Sequence, residues 1–411
     1  MKKASEDITQ DSKMPELFCG KNMLHKYMLE GQTKYEKSIP LKILKVNNGI
    51  VHPLPPPGCY SNETTGGVTD VDSKFIELSL TKRVSPKNFS VKFTDWYCGA
   101  NKNFKSETAD YVDADVVFLG ALPSHYGHFI TEGLARLWFF LDPENAHYKG
   151  VYISDSRNNK FLDCFRFFGI KDQDLIEITK PTRFRSIFVP EQSIRLQDYY
   201  HLKYKETIDK IKEKIEPAKY NKVFFSKAKS TSGRAVGESP IQDVFERNGF
   251  TIVYPEKLSM YETISILKGC DEFGSTSGTN IHNSVFMNDR KAIICLNRSA
   301  HFHPIQTMID RMKRLKATYV DTFVFSTNDN FGNAPCFVTV TCSLRKFFHA
   351  RNWSYNRINL FLIAPLYFMR YQRYTFNIKI NTLYSHMIIS KYKSVRLIAE
   401  KVRKIKHFKH L

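Results

Sequence analysis

The 411-residue chain lacks any run of about 18–20 apolar residues, the length a membrane-spanning helix requires. Its opening stretch, MKKASEDITQDSK, has paired lysines but no apolar core, so it does not read as a secretory leader and a cytoplasmic location is expected. No CxxC pair or regular cysteine framework occurs. The eight cysteines (Cys19, Cys59, Cys98, Cys164, Cys270, Cys295, Cys336 and Cys342) are scattered, several within apolar runs such as AIICLN, and read as reduced thiols. Walker A and GxGxxG phosphate loops are absent, as are internal repeats. The composition is 42% hydrophobic, 14% aromatic and 25% charged, which excludes wholesale disorder, and the length suits two or three domains.

Acidic residues are the scarce charge. Lys and Arg number 61 against 41 Asp and Glu, a net charge of +20, and +14 of it lies beyond residue 344, where Glu400 is the one acid among fifteen basic residues. This tail is also aromatic, with Phe347, Phe348, Trp353, Tyr355, Phe361, Tyr367, Phe368, Tyr371 and Tyr374. Its apolar stretch at 358–369 is interrupted by Asn359 and Pro365; it is too short to span a bilayer but suits lying on one. Basic residues beside aromatics match anionic lipid head groups, at about 1 kcal/mol each near the surface. Nucleic-acid phosphates or a solvated appendage are the alternatives. No nucleic-acid recognition fold precedes the tail, so a membrane surface is the expected partner.

Residues 222–325 alternate strand-type and helix-type patterns with short links. Strands are expected at 222–226, 250–254, 272–274, 292–297 and 318–324, with helices at about 240–248, 260–269 and 305–316. Ser239 with Gln242 and Ser259 with Glu262 have capping-box spacing. The pattern predicts an α/β fold with a parallel, doubly wound sheet, whose ligands bind at the carboxyl ends of the strands. A similar alternation at 115–189 predicts a second α/β unit, including a helix over 128–140. Residues 204–215 read as an amphipathic linker helix with Ile208, Ile211 and Ile215 on one face. PLPPPG at 53–58 marks a turn or boundary.

Three segments could carry chemistry. GSTSGTNIHN at 274–283 lies between strand and helix, where small residues and free backbone N–H groups around Ser277, Gly278, Thr279 and Asn280 suit an anion. SKAKSTSGRAVGE at 226–238 follows a neighbouring strand, and Lys227, Lys229 and Arg234 could reach a diphosphate, with Glu238 orienting Arg234 or holding a sugar hydroxyl. In HYGHFITEGLARLW, His128, Glu132 and Arg136 are spaced i, i+4, i+8, supplying a base, its partner and a cation on one helical face. The plainer readings are an ordinary strand-to-helix turn, a Glu132–Arg136 surface ion pair and an incidental His125. The DxD strings at Asp70–Asp72 and Asp113–Asp115 read as chance, since the latter precedes its strand.

Taken in order, these segments resemble glycosyltransferase family 61, especially bacterial members found with capsule and surface-polysaccharide biosynthesis. GHFITEGLARLW is similar to the family's His-aromatic-x-x-Glu helix; Lys227, Arg234 and Glu238 fall where it has Arg…Arg-x-x-x-Glu; NGFTIVYPEKLSMYETISILKGCDEFGSTSGTNIHNSVFM follows its long signature. Lys227 stands where Arg is usual and Gly237 where Asn is common. The resemblance implies a GT-B fold of two Rossmann-like domains facing a cleft. It divides the chain into an acceptor-side domain at 1–200, a nucleotide-sugar-binding domain at 201–344 and the tail at 345–411. It further implies inverting transfer from a nucleotide-sugar donor, UDP-linked in most of the family, with no cofactor and no essential metal. The acceptor would be a growing surface polysaccharide or lipid-linked glycan, held by a peripheral enzyme on the inner face of the cell membrane. His128 or Glu132 would be the base; Lys227, Arg234 and the backbone at 278–280 would stabilise the departing diphosphate; His282 and Asn283 would hold the nucleotide or the loop itself. Rival readings are a non-catalytic sugar-phosphate-binding or assembly protein, a nucleic-acid-binding protein, and a metal hydrolase at His125, His128 and Glu132.

Overall fold

The computed structural model describes residues 15–21, 36–54, 66–84, 91–93, 109–154, 161–229, 235–300, 304–325, 336–355, 364–366, 368–369 and 371–376. In its second half, strands Lys222–Phe225, Thr251–Val253, Glu272–Thr276, Ala292–Asn297 and Lys316–Asp321 alternate with helices Ser239–Arg247, Met260–Gly269, Thr279–His282 and Pro304–Met312. All five strands pair in parallel, in the spatial order second, first, third, fourth, fifth. Their inner members, KVFF, EFGST and AIICLN, are buried almost throughout, as parallel strands covered on both faces must be. Glu16–Phe18 adds a sixth parallel strand beside Lys316–Asp321. The chain's first described residues therefore belong to this sheet.

Of the two capping boxes, that at Ser259 is made: Ser259 Oγ accepts from the Glu262 backbone N–H at 3.2 Å, and Glu262 Oε2 accepts from the Ser259 N–H at 2.8 Å. The Ser239 box is not. That helix starts at Ser239 itself, and Gln242 Oε1 instead accepts from Ser226 Oγ (2.8 Å) and the Tyr254 hydroxyl (3.2 Å), tying the helix to two strand ends.

The other large sheet is centred on Asp110–Leu122, flanked in parallel by Lys149–Ser154 and Thr182–Pro190, with Leu175–Glu177 beyond. Its far edge is antiparallel: Ile43–Asn47 and Ile50–His52 both pair with Thr182–Pro190, and Gly67–Thr69 follows. The sheet is thus mixed, not a parallel repeat of the first. The helix expected over 128–140 breaks into an α turn at Tyr126–His128, a π turn at Phe129–Gly133 and a 3₁₀ segment at Leu137–Leu141. The wider π turn keeps His128 and Glu132 adjacent but rotates Arg136 off their face. Arg136 is fully buried, its Nε donating to Pro190 O (3.0 Å) and its Nη2 to Leu78 O (3.0 Å) and Leu80 O (2.8 Å). Gly120 makes the room: at φ +95° it bulges the central strand, and a Cβ there would lie 2.7 Å from Arg136 Nη1. Arg136 is a fastener of three chain segments, neither a site cation nor a surface ion pair.

Helix Leu202–Glu213 links the sheets, burying Tyr204, Ile208 and Ile211, with Ile215 just beyond it. Lys268 Nζ donates to the carbonyls of Lys212 (3.0 Å) and Ile215 (2.6 Å), satisfying groups the helix end would orphan. One apolar cluster runs from Leu119 and Phe129 through Ile208 and Ile211 to Phe225, Phe273 and Cys295, so both sheets share a core.

The boundary expected at residue 345 cuts helix Cys342–Ala350. Phe347 and Phe348 are fully buried in a cluster with Ile294 and Val320, and Trp353 stacks on Phe348 at 5.8 Å. These aromatics are core residues whose basic neighbours gave them a surface look. Farther on, Ala364 and Tyr371 pack against Val236 and Phe337, while Leu366, Met369 and Phe376 are exposed. Residues 377–411 and 55–65, the latter covering most of the PLPPPG turn, lie outside the described residues. Among the described residues no helix is long and apolar enough to cross a membrane.

Candidate functional site

In the six-stranded sheet the chain passes from Lys222–Phe225 outward to Thr251–Val253, then returns to the other side as Glu272–Thr276. The connections after the first and third of these strands diverge, which opens a crevice at their carboxyl ends, the usual ligand position in such sheets. Both sequence-flagged loops leave from there.

Gly278 is the pivot. It has φ +114° and ψ −157°, a combination essentially reserved for glycine. A Cβ on it would lie 3.1 Å from Arg298 Nη2 and 3.8 Å from Lys227 Nζ. Three successive strand ends thus deliver one cation each side of a bare backbone: Lys227 after Lys222–Phe225, Gly278 after Glu272–Thr276, and Arg298 after Ala292–Asn297. The Arg298 backbone N–H also donates to Ser277 Oγ at 3.3 Å, fastening the two loops together. Sequence reading missed Arg298 because no motif surrounds it; its place immediately after a buried strand neighbouring the glycine loop is the signal that could have found it. Thr279 and Asn280 open the following turn, half-buried, and Asn280 Nδ2 has no hydrogen-bond partner among the described residues.

Glu238 lies beneath this loop, not in the crevice. It is 1% exposed, its Oε1 accepts from the Lys227 backbone N–H at 2.7 Å, and its Oε2 takes the Thr276 hydroxyl at 3.4 Å. Burial raises its carboxyl pKa, while the Lys227 N–H and ammonium oppose the rise. Glu238 therefore holds the start of the Lys227 loop. Arg234 lies outside the described residues.

His128 and Glu132 form a pair, Nδ1 to Oε2 at 2.6 Å, with Arg83 Nη2 at 3.5 Å from the other carboxylate oxygen. Glu132 is 1% exposed and His128 19% by side chain, so the histidine is the member that meets solvent. His125 is exposed, its ring 5.1 Å from that of His128.

The pair is carried to the glycine loop by direct contact. The Tyr126 hydroxyl donates to Asn283 Oδ1, and Gly127 packs so closely on Thr279 that a Cβ would lie 3.1 Å from its Oγ1. Asn283 Nδ2 donates to Asn280 O at 2.9 Å, so this residue serves the loop and its junction with the other sheet. His282 is 3% exposed, and burial together with Lys227, His128 and Arg298 pushes its pKa down to about 4, leaving it neutral.

Neither DxD string joins this site. Asp113 and Asp115 pair with Arg185 at 3.1 and 2.9 Å, and Asp70 Oδ1 accepts from the backbone of Asp72 and Lys74. No group of three or more His, Cys, Asp or Glu among the described residues is arranged to hold a metal ion. A cavity of about 790 Å³ opens at the opposite end of the sheet, among Lys222, Glu272, Arg314, Lys316 and Arg351. It lies at the strands' amino ends, away from both loops, and Glu272 there is paired with Arg351 at 2.8 Å. The chemistry stays with the carboxyl ends.

Replacing Gly278 by Ala forces a side chain into a glycine-only conformation and against Arg298. The expected cost is about 1–3 kcal/mol in denaturant unfolding, accompanied by weakened anion binding at the loop; unchanged stability and binding would remove Gly278 as the pivot.

No curated protein matches the chain. The family model described as Glycosyltransferase 61 does match it, over residues 126–294, a stretch that contains the His128–Glu132 pair, Lys227, Glu238 and the whole glycine loop, and that match supports a glycosyl-transfer role.

Proposed function

We propose that this protein is an inverting, metal-independent glycosyltransferase with its two sheets opposed in the GT-B manner. It moves a sugar from a UDP-linked donor to a hydroxyl of a surface polysaccharide or lipid-linked glycan. The observation that carries this reading is the convergence of Lys227 and Arg298 on Gly278 at the sheet's switch point. Two cations beside the loop backbone at 278–280 suit two adjacent phosphates. Their charge stabilises the departing diphosphate, the task a divalent cation performs elsewhere. Arg234, which follows Lys227 in the sequence, is a third cation in this reading.

His128 is the base and Glu132 its orienting partner. Glu132 is buried with Oε2 on His128 Nδ1, and the partly exposed histidine is therefore the member given the substrate hydroxyl in this reading. The acceptor O–H gives its proton to His128 Nε2 as its oxygen bonds to the anomeric carbon. The bond from that carbon to the phosphate oxygen breaks on the opposite face, its electron pair leaving with the diphosphate, and the configuration inverts. A non-catalytic sugar-phosphate-binding protein would need the cations but not this pair, whose intact geometry favours transfer.

The test is transfer from radiolabelled UDP-sugars in EDTA to isolated glycan acceptors. His128→Ala is expected to lower turnover by about 10²–10⁴-fold while UDP affinity stays the same, and Glu132→Gln to lower it less. Full activity in both variants would remove the pair from the mechanism, and a wild-type protein that binds donor but never consumes it would favour the binding-protein reading.

The enzyme works, in this proposal, at the cytoplasmic face of a membrane that carries its acceptor. Leu366, Met369 and Phe376 present exposed apolar side chains within the basic tail, on helical residues whose Ala364 and Tyr371 pack on the protein. Apolar insertion flanked by Lys and Arg suits an anionic bilayer. Wild-type protein is expected to sediment with phosphatidylglycerol vesicles and the Leu366→Glu, Met369→Glu, Phe376→Glu triple variant to remain in the supernatant; equal sedimentation of the two would contradict it.

A further inference from the structure

The cavity at the amino ends of the strands has no part in the reaction drawn above. Its volume of about 790 Å³ is far more than a simple ion requires and falls in the range of small-molecule pockets, about 300–1,000 Å³. Six of its lining residues are basic and four are acidic. Each acid has a partner. Glu272 pairs with Arg351 at 2.8 Å, Asp271 with Lys291 at 2.5 Å, and Glu16 Oε2 accepts from the Thr318 hydroxyl at 3.3 Å. Asp310 accepts from the Tyr319 hydroxyl and from Gln306 Nε2, and burial raises its pKa to about 7, so near neutrality it is only partly ionised. Arg314 and Lys316, by contrast, are exposed and form no salt bridge among the described residues. The excess charge of the cavity is positive.

The backbone singles out the same place. Helix Pro304–Met312 ends in a Schellman motif, in which the Leu315 N–H donates to Asp310 O at 2.8 Å and the Arg314 N–H to Arg311 O at 3.1 Å. Arg314 has φ +51°, the left-handed position that glycine or asparagine ordinarily takes in this motif. Arg290 also has a positive φ, +64°, and its N–H donates to Lys313 O at 3.0 Å, hooking one arginine turn onto the other. The other described non-glycine residues with positive φ are two asparagines, a serine and a glutamine, whereas both arginines line this one cavity. The helix dipole accounts for a basic residue in the last turn, where Arg311 already stands, but not for an arginine at the glycine position. Cations kept on strained backbone point to something that they hold.

We propose that this cavity is a second binding site, separate from the glycine-loop crevice, for an anionic sugar carrying carboxylate or phosphate. Arg314 offers such a group a planar pair of N–H donors and Lys316 a point charge. The carboxylates of Asp271 and Glu272 keep lone pairs for sugar hydroxyls beyond their own ion pairs. The intervening strands are five or six residues long, roughly 17–20 Å, so a sugar bound here is held away from the reacting atoms. The ligand chemistry has two sources, a segment of an acidic glycan chain or a free sugar phosphate.

Calorimetry on the full chain with tri-galacturonate, glucose 1-phosphate and neutral maltotriose tests the site and separates the sources. Wild type and Arg298→Ala, whose change lies in the other crevice, are expected to bind an anionic probe equally and maltotriose far more weakly. Arg314→Gly combined with Lys316→Gln is expected to weaken that binding by at least about tenfold, the loss of one charged hydrogen bond. Its denaturant midpoint should stay level or rise, because glycine relaxes the left-handed turn. Lys316→Gln alone, at an exposed strand start, should weaken binding severalfold with the midpoint unchanged. Binding of tri-galacturonate but not glucose 1-phosphate assigns the site to a glycan chain, and the reverse assigns it to a sugar phosphate. No binding of either anion, equal affinity in the double variant, loss of binding in Arg298→Ala, or equal binding of maltotriose would each overturn the proposal. None of these outcomes depends on whether the protein transfers sugar.

Discussion

The site depends on one small junction, where the turn at 126–128 from one sheet presses on the turn at 279–283 from the other. Three features make the contact: glycine at 127, which lets Thr279 approach; the Tyr126 hydroxyl, which donates to Asn283; and the second amide hydrogen bond of Asn283, to Asn280 O. Without that junction the His128–Glu132 pair and the Lys227–Arg298 cations would be features of separate sheets. Around it the shared apolar core, the linker helix and the Lys268 cap fix the two sheets against one another. A mobile arrangement of the same residues would lose the orientation that proximity catalysis requires.

Charge is managed in layers around this junction. Lys227 and Arg298 meet at the bare backbone of Gly278, and nearby acids make hydrogen bonds to other groups. Glu238 is spent on a backbone N–H beneath the loop, Glu132 on His128, and Asp310 on Gln306 and Tyr319. These three carboxylates serve as braces around the two cations. In a partly desolvated crevice such cations act more strongly on a diphosphate than they would in water.

Much of this was legible in the sequence, and the failures have physical causes. The buried runs KVFF and AIICLN, with Gly and capping residues between them, defined the parallel sheet and placed both loops at its carboxyl edge. Ser259 and Ser239 carried equivalent cap signals, but only the first was used, because Gln242 found better partners in Ser226 and Tyr254. Spacing put Arg136 with His128 and Glu132; a π turn, which no residue pattern announced, removed it. Phe347, Phe348 and Trp353 read as surface anchors because charge surrounds them in sequence, whereas the helix turns Phe347 and Phe348 inward and Trp353, past its end, stacks on Phe348. Arg298 belongs to no motif and becomes meaningful only when strand order brings it beside the loop.

The central claim is that the strand-end cations bind the diphosphate of a nucleotide without a metal. Calorimetric titration of UDP, GDP and CMP in EDTA, on wild type and Arg298→Ala in parallel, tests it most directly. The account predicts that UDP binds the wild type alone among the three nucleotides and weakens by at least about tenfold in the variant, since a charged hydrogen bond contributes about 1.5–3 kcal/mol. Equal UDP affinity in the two proteins, or no nucleotide binding at all, would contradict it.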